Sequence, residues 1–360
     1  MAKIKISCPG CGNLLQCGER HRGRKVKCPH CKQLIPVPRT SAAVAMPLKQ
    51  RRAKGKFRRA ALAASILVLA GAGVVAGLWI FQPTIIHWPD RRPIGTSFLA
   101  ENFYTSATNP RGWFNDPKLD VTGPDGAQRF HKALMDYTDR SLEVLKRTGA
   151  QGVIVWDLEG EQFPHKTSYI GDPRLLERLA PEMAATVDEF FARLRNAGLK
   201  VGITIRPQQL VFERGEPRQT QVLNIKQSLL EKIDYAKAHW GVTLFYIDSN
   251  GGVRRPDETW QLHSLAKERP DVLLIPEHHY LPYWAFSAPY IVLRKGNSST
   301  TARWARKLFP GSFQVLDISD AGDDGAKVAA AWRKDDILLF RAWFWNSDCE
   351  LVESLAHVQK

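Results

Sequence analysis

The chain has 360 residues, 44% of them hydrophobic and 24% charged, and a formal net charge of +15. Residues 1–59 hold 16 Lys and Arg against the single acid Glu19, and the other 301 residues hold 51 − 16 = 35 bases and 36 − 1 = 35 acids. This distribution excludes a uniformly basic globular protein and leaves a basic N-terminal arm followed by a balanced domain.

The first element carries four cysteines. Cys8-Pro-Gly-Cys11 and Cys28-Pro-His-Cys31 read as C-x2-C, sixteen residues, C-x2-C, the spacing of a zinc ribbon. Each tight knuckle aims two thiolates at one point, and two knuckles complete a tetrahedral sulfur cage. A ribbon over residues 1–38 has too little core to fold unaided, so bound Zn2+ supplies the folding energy. The competing reading is two disulfides or a redox pair, which a reducing compartment disfavours. Cys17 stands outside the ligand set, with His21 and His30 as outside contenders. Residues 8–38 also resemble the short zinc-ribbon modules that open many bacterial membrane-anchored proteins. That resemblance implies a metal and leaves the role open. A cytoplasmic protein partner is expected, in preference to nucleic acid.

Residues 39–59 form a basic linker, with seven Lys and Arg between Lys49 and Arg59. Ala60–Phe81 then runs 22 residues without a charge. At about 1.5 Å per residue this is roughly 33 Å, close to the ~30 Å of a bilayer core. The basic flank predicts a cytoplasmic N-terminus and a C-terminal part beyond the inner membrane, periplasmic or extracellular. Anionic lipid headgroups are the expected contact of the basic run. Trp79 and Trp88 are candidates for the far interface. A cleaved signal peptide is the alternative, although its leading segment would be unusually long.

After a linker at 82–93, residues 94–360 alternate short apolar strands with amphipathic helices. Strands are predicted at 95–100, 152–156, 200–205, 243–247, 272–275, 291–293, 313–316 and 337–340. Helices are predicted at 127–147, 175–196, 222–239, 258–268, 298–308, 326–333 and 348–358. Eight strand–helix units over this length predict an α/β fold, a (β/α)8 barrel. An open doubly wound sheet is the alternative, but no Gly-rich phosphate loop follows any strand.

Barrel chemistry sits at the C-terminal strand ends. There the sequence places Asp157 and Glu159, then Arg206, then Asp248 and Asn250, then Glu277, His278 and Tyr280, then Asp317 with Asp320 beyond it, and finally Arg341, Trp343 and Trp345. Carboxylates hydrogen-bond hydroxyls, and aromatic faces pack against sugar rings, so this rim suits carbohydrate. Trp113, Trp156 and Tyr246 are further stacking candidates. Each aromatic has barrel packing as its plainer reading, and several acids have helix capping. Asp248 and Glu277 lie on adjacent strands about 4.8 Å apart. Their carboxyl groups fall within the range that glycoside hydrolysis requires. Asp248 would attack the sugar or activate water, and Glu277 would protonate the leaving oxygen.

The segments GVIVWDLEG, KVGITIRP, LFYIDSNGG and LLIPEHHY resemble the barrels of glycoside hydrolases, particularly the alpha-galactosidase- and alpha-glucosidase-like families. The resemblance implies Asp248 as nucleophile. It also implies an acid/base carboxylate on the sixth strand, and none lies between Tyr280 and Gly296. Two readings follow. One is a membrane-tethered glycoside hydrolase. The other is a carbohydrate-binding or sensing barrel without catalysis, coupled to the cytoplasmic ribbon. A third, metal-dependent hydrolysis through Glu277, His278 and Asp248, is weakened because consecutive strand residues face opposite sides. Cys349 reads as a buried thiol.

Overall fold

Two antiparallel hairpins carry the cysteines. β1 (Lys3–Ser7) pairs with β2 (Leu14–Gly18), and β3 (Lys25–Lys27) pairs with β4 (Leu34–Pro36). The computed structural model describes residues 3–39, 86, 88–162, 164, 170–251, 256–293, 299–319 and 324–358, without the side chains of Asn102, Pro256 and Val358. The chain divides into two compact units, Met1–Gly77 and Leu78–Lys360. The apolar run at 60–81, most of the basic linker, and Asp320 lie outside the described residues. No helix among the described residues is long and apolar enough to cross a membrane.

Among the described residues of the first unit, the apolar cluster is small: Cys8, Cys28 and Ile35, flanked by Ile6, Leu15 and Val26, with Val37 and Cys17 also buried. So small a core cannot offset the conformational entropy of the segment. The knuckles are built by backbone turns. Gly12 N–H donates to Cys8 O and Lys32 N–H to Cys28 O, with Gly12 and Lys32 both in the left-handed region.

The second unit is the barrel. Its strands in chain order are β5 (Ile94–Ser97), β6 (Gly152–Val155) and β7 (Lys200–Ile205), then a separate hairpin of β8 (Gln209–Glu213) and β9 (Glu216–Thr220). The barrel resumes with β10 (Leu244–Ile247), β11 (Leu273–Pro276), β12 (Tyr290–Val292), β13 (Val315–Asp317) and β14 (Ile337–Arg341). Parallel ladders join eight strands in the order β11-β10-β7-β6-β5-β14-β13-β12. At the remaining seam Ala288 N–H, just before β12, donates to Leu274 O of β11 at 3.0 Å. The eight parallel strands and their surrounding helices make a (β/α)8 barrel, as the strand–helix alternation predicts.

Side-chain alternation divides the strands into two faces. Ile94, Ile154, Leu244, Leu273, Val315 and Leu339 fill the lumen. Val153, Val155, Ile203, Phe245, Leu316 and Phe340 pack outward with the helices. Gly202 is needed in the lumen, because a Cβ there would lie 2.6 Å from Leu244 Cβ and 2.8 Å from Ile154 Cγ1. The floor is closed by Trp88, whose indole donates to Gln151 Oε1 at 3.0 Å. Trp88 is therefore part of the barrel and does not face a membrane interface.

The helical shell comprises α1 (Gly126–Arg147), α2 (Leu176–Leu179), α3 (Pro181–Ala184), α4 (Val187–Asn196), α5 (Ile225–Trp240), α6 (Pro256–Glu268), α7 (Arg303–Leu308), α8 (Gly325–Trp332) and α9 (Ser347–Val358). The single helix expected at 175–196 is broken into pieces. Pro181 has no N–H to continue the ladder, so it starts a new helix at its own first turn. The β8–β9 hairpin stands where the sequence reading had only a loop. Its turn, Arg214-Gly215, has φ of 53° and 86°, the twist that a two-residue antiparallel turn requires.

Candidate active site at the strand ends

Five charged side chains end the lumen face at the C-terminal side of the barrel. By register they are Arg206, Asp248, Glu277, Asp317 and Arg341, following β7, β10 and β11 and closing β13 and β14. Beneath them lies an aromatic layer. Trp156 stacks on Tyr246 at 4.2 Å and on Phe98 at 5.3 Å, while Tyr290 meets Tyr246 edge-on at 5.0 Å. Trp156 and Tyr246 are buried and complete the barrel packing. They do not present open faces to a sugar. Trp113 is likewise buried, its indole donating to Glu182 Oε1 at 2.7 Å.

Asp248 is 8% exposed. Arg206 Nε and Nη2 both lie 2.5 Å from its Oδ2. Arg206 is in turn held from three sides. Its Nη1 donates to Gln219 Oε1 of β9 at 3.0 Å, and its backbone N–H donates to Gly171 O at 3.0 Å. Its carbonyl accepts from Lys232 Nζ at 2.6 Å. Gly171 has φ +66°, and a Cβ there would lie 2.8 Å from Arg206 N, so the close approach requires glycine.

Glu277 occupies the next strand end. Its side chain is 32% exposed. Ser249 N–H donates to Glu277 Oε2 at 2.8 Å. Ser249 has φ 57°, a costly conformation for a residue with a side chain. The strained turn directly after Asp248 thus aims a backbone amide at the neighbouring carboxylate. Asn250 completes the brace. Its Oδ1 accepts from Glu277 N–H at 2.9 Å, and its Nδ2 donates to Tyr283 Oη at 2.7 Å. Asn250 is buried and holds the two strand ends together. It positions Glu277 and has no surface to offer a ligand.

The other candidates divide by environment. His278 is exposed, its Nε2 4.0 Å from Glu277 Oε2. Tyr280 is half-buried and meets Tyr283 edge-on. Trp343 meets Phe98 edge-on at 5.4 Å, at the lumen mouth. Trp345 lies under the Arg147 guanidinium at 3.4 Å, against the last turn of α1, and so belongs to the helical shell. Asp317 accepts from Tyr290 Oη at 2.5 Å and from Ser319 N–H at 2.9 Å.

Asp157 and Glu159 do not join the group as ligand-facing acids. Asp157 is fully buried and accepts the N–H groups of Leu99 and Ala100 at 2.8 and 2.7 Å. Glu159 is buried and accepts Asp172 N–H at 2.8 Å. Both pin the loops that follow β5 and β6. Burial pushes Asp157 up to about 8 and Glu159 up to about 7.

Three residues absent from the sequence reading complete the surroundings. Glu161 is buried, and its Oε2 has no hydrogen-bond partner. Burial pushes it up to about 7, with Arg206 drawing it back and Glu101 adding to the rise. Lys232 of α5 is fully buried and donates to the carbonyls of Arg206 and Gln208, with Asp172 Oδ2 at 3.7 Å. Burial brings Lys232 down to about 8. Gln208 donates to Ser249 O at 3.0 Å, locking the strained turn. Only Glu161 had a signal in the sequence, as the third acid of an Asp157-x-Glu159-x-Glu161 alternation.

In the first unit, Cys8, Cys11, Cys28 and Cys31 place their Sγ atoms within 4.8 Å of one another. Cys8 to Cys31 is 3.4 Å and Cys11 to Cys28 is 3.7 Å. A tetrahedral site with metal–sulfur bonds of about 2.3 Å has edges near 3.8 Å, so the four thiols fit a metal ion. The backbone N–H groups of Cys31 and His30 bring the Cys28 thiol down to about 6. All six cysteines are free thiols, and Cys17 and Cys349, outside the four-thiol set, are buried.

No family model and no curated protein matches the chain. Among solved structures, the chain is similar to a maltogenic alpha-amylase from Thermotoga neapolitana, with 13% identity, TM-score 0.46, and 74% of this chain and 76% of that one covered. It is similar to an alpha-amylase from Lactobacillus plantarum, with 12% identity, TM-score 0.45, and 75% and 80% covered. A third is alpha-L-fucosidase isoenzyme 1 from Paenibacillus thiaminolyticus, with 11% identity, TM-score 0.42, and 78% and 76% covered. At these identities the likeness is one of chain path, and no chemistry is carried over from it.

Proposed function

We propose that the strand-end face of the barrel binds carbohydrate and hydrolyses a glycosidic bond through Asp248 and Glu277. The observation that carries this reading is the Ser249 amide. It comes from the residue after Asp248 and holds Glu277 Oε2 at 2.8 Å, so two carboxylates from neighbouring strands share one corner of the face. Asp248, with Oδ2 held by Arg206, presents its other oxygen to the anomeric carbon or to a water. Glu277, the more exposed acid, delivers a proton to the leaving oxygen. His278 and Trp343 flank the approach. The proton comes from the fifth strand, because the sixth strand end offers Val292 and no carboxylate.

The second reading, a binding barrel without turnover, is favoured by one observation. Asp248 is nearly closed off, with the Trp156–Tyr246 stack below it. A panel of chromogenic glycosides against the parent chain, Asp248→Asn and Glu277→Gln separates the two. Hydrolysis by the parent that falls about 10^3-fold in either variant supports catalysis. Glycan binding by the parent with no turnover of any substrate supports the binding barrel.

The rest of the reading concerns placement. The four thiolates hold structural Zn2+, a soft, tetrahedral choice for four sulfurs. Residues 60–81 cross the inner membrane once, with the ribbon in the cytoplasm and the barrel outside it. The ribbon's partner is a cytoplasmic protein. Metal analysis of the purified chain, and protease accessibility in spheroplasts, test these two placements.

A further inference from the structure

A buried lysine stands directly behind the strand-end face. Lys232, in the middle of α5, has no exposed surface. Its ammonium donates to Arg206 O at 2.6 Å and to Gln208 O at 2.8 Å. Asp172 Oδ2 lies farther off, at 3.7 Å. That carboxylate is already gripped by Arg174, through Nε at 2.9 Å and Nη2 at 2.8 Å. The two short bonds of Lys232 thus both end on main-chain carbonyls and not on a private ion pair. Burying an ammonium is costly, and a methionine would fill a similar volume without that cost. Packing alone gives no reason for the charge.

The two carbonyls belong to residues whose side chains reach the two acids separately. Arg206 Nε and Nη2 both lie 2.5 Å from Asp248 Oδ2. Gln208 Nε2 donates to Ser249 O at 3.0 Å, and Ser249 N–H donates to Glu277 Oε2 at 2.8 Å. One arm therefore ends on Asp248 and the other on Glu277. β7 ends at Ile205, so residues 206–208 lie beyond the barrel ladder. Pro207, between the two held carbonyls, has no N–H to donate. Lys232 supplies the hold that the ladder does not.

The second arm is the more sensitive. Ser249 has φ 57°, a conformation that persists only where its surroundings enforce it. Gln208 is 7% exposed and grips the carbonyl of that residue from inside the barrel wall.

We propose that Lys232 is a positioning residue for both acids. It fixes the backbone of residues 206–208, and through Arg206 and Gln208 it sets the placement of Asp248 relative to Glu277. It touches no substrate. This inference rests on the reading of Asp248 and Glu277 as the working pair, and carries that reading from the rim into the helical shell.

The test compares the full chain with Lys232→Met, Gln208→Ala and the double variant. Two measurements are made: residue-resolved hydrogen exchange, and hydrolysis of whichever chromogenic glycoside the parent turns over. Lys232→Met is expected to speed exchange at the Ser249 amide about tenfold while the amides of β6 and β10 keep their protection. Its kcat should fall about a hundredfold with KM changed by no more than about twofold, because the acids move and the binding surface does not. Gln208→Ala should give the same acceleration at Ser249, and the double variant should add little, since both changes act on one arm.

Uniform acceleration through α5, β7 and β10 would mark Lys232 as a packing residue and overturn the proposal. So would an unchanged Ser249 amide in Lys232→Met or in Gln208→Ala, or accelerations that simply add in the double variant. If Lys232→Met does not fold, Lys232→Gln is read in its place. Gln208→Ala leaves both ammonium bonds intact, so it tests the shared arm in either case. A parent that turns over no glycoside removes the hydrolase reading alone, because the exchange measurements decide the role of Lys232 without turnover.

Discussion

Arg206 and Asp248 form the tightest charged contact of the strand-end face, and each is only 8% exposed. A buried pair of this kind adds little net stability, but removing one partner strands the other. Arg206→Ala is therefore expected to lower the unfolding free energy of the barrel by about 3–5 kcal/mol in urea titrations. Arg206→Lys keeps the charge and loses the fork, so it should fall between parent and alanine variant. Glu161 gives a pH signature. Its ordinary value is 4.5 and in the folded chain it lies near 7. Between those values the unfolded chain has released this proton and the folded chain has kept it. Stability from this residue thus falls as pH rises from about 4.5 to about 7, and is level above that. Glu161→Gln removes that slope. Its advantage over the parent should grow across that window and reach at most about 3 kcal/mol above pH 7. Asp157 and Glu159 add slopes of the same sign, so the measurement is the difference between variant and parent.

The β8–β9 hairpin reaches over the third strand end and supplies Gln219 to Arg206. Replacing residues 209–220 with a short Gly-Ser link leaves Gln208 and Lys232 in place and removes that contact. The expected result is a barrel with nearly unchanged melting temperature and about tenfold weaker glycan binding or turnover. This element also shows where the sequence was opaque. Its strand Glu216–Thr220 reads EPRQT, polar and half-exposed, with no alternation to announce a strand. The eight barrel strands were readable for the opposite reason. Most are short apolar runs, such as LFYI and LLIP with a charged residue directly after them, and burial on both faces favours such runs, whereas β5 reads IGTS. The 175–196 periodicity concealed breaks because each of the three helical pieces carries buried apolar residues, with Pro181 opening the second. At the site, position was legible and environment was not. Asp157, Asp248 and Glu277 all end strands, but only the coordinates reveal that two loop amides occupy Asp157 while a guanidinium holds Asp248. Asn250 read as a ligand contact because its long-range partner Tyr283, 33 positions away, leaves no local mark.

At the scale of the whole chain, the two units have cores that share nothing in kind. One packs apolar side chains inside and around a filled lumen, and the other has a small cluster of Cys8, Cys28 and Ile35, two of which belong to the four-thiol set. Chelator treatment, or Cys28→Ser, is expected to unfold residues 3–38 and leave the barrel's melting transition in place. Cysteine alkylation followed against barrel tryptophan fluorescence measures this. A barrel transition that moves with the chelator would show the units to be energetically coupled.

Trp88 has a mechanical consequence. The indole is seated in the floor and clamped to Gln151, six positions before β5 begins. A pull arriving along the preceding segment must first extract that ring from its socket before any force reaches the first rung of the β5 ladder. The barrel is thus fitted with a strain relief, like the moulded collar on a cable, and tension from the preceding segment need not disturb the geometry of the opposite rim.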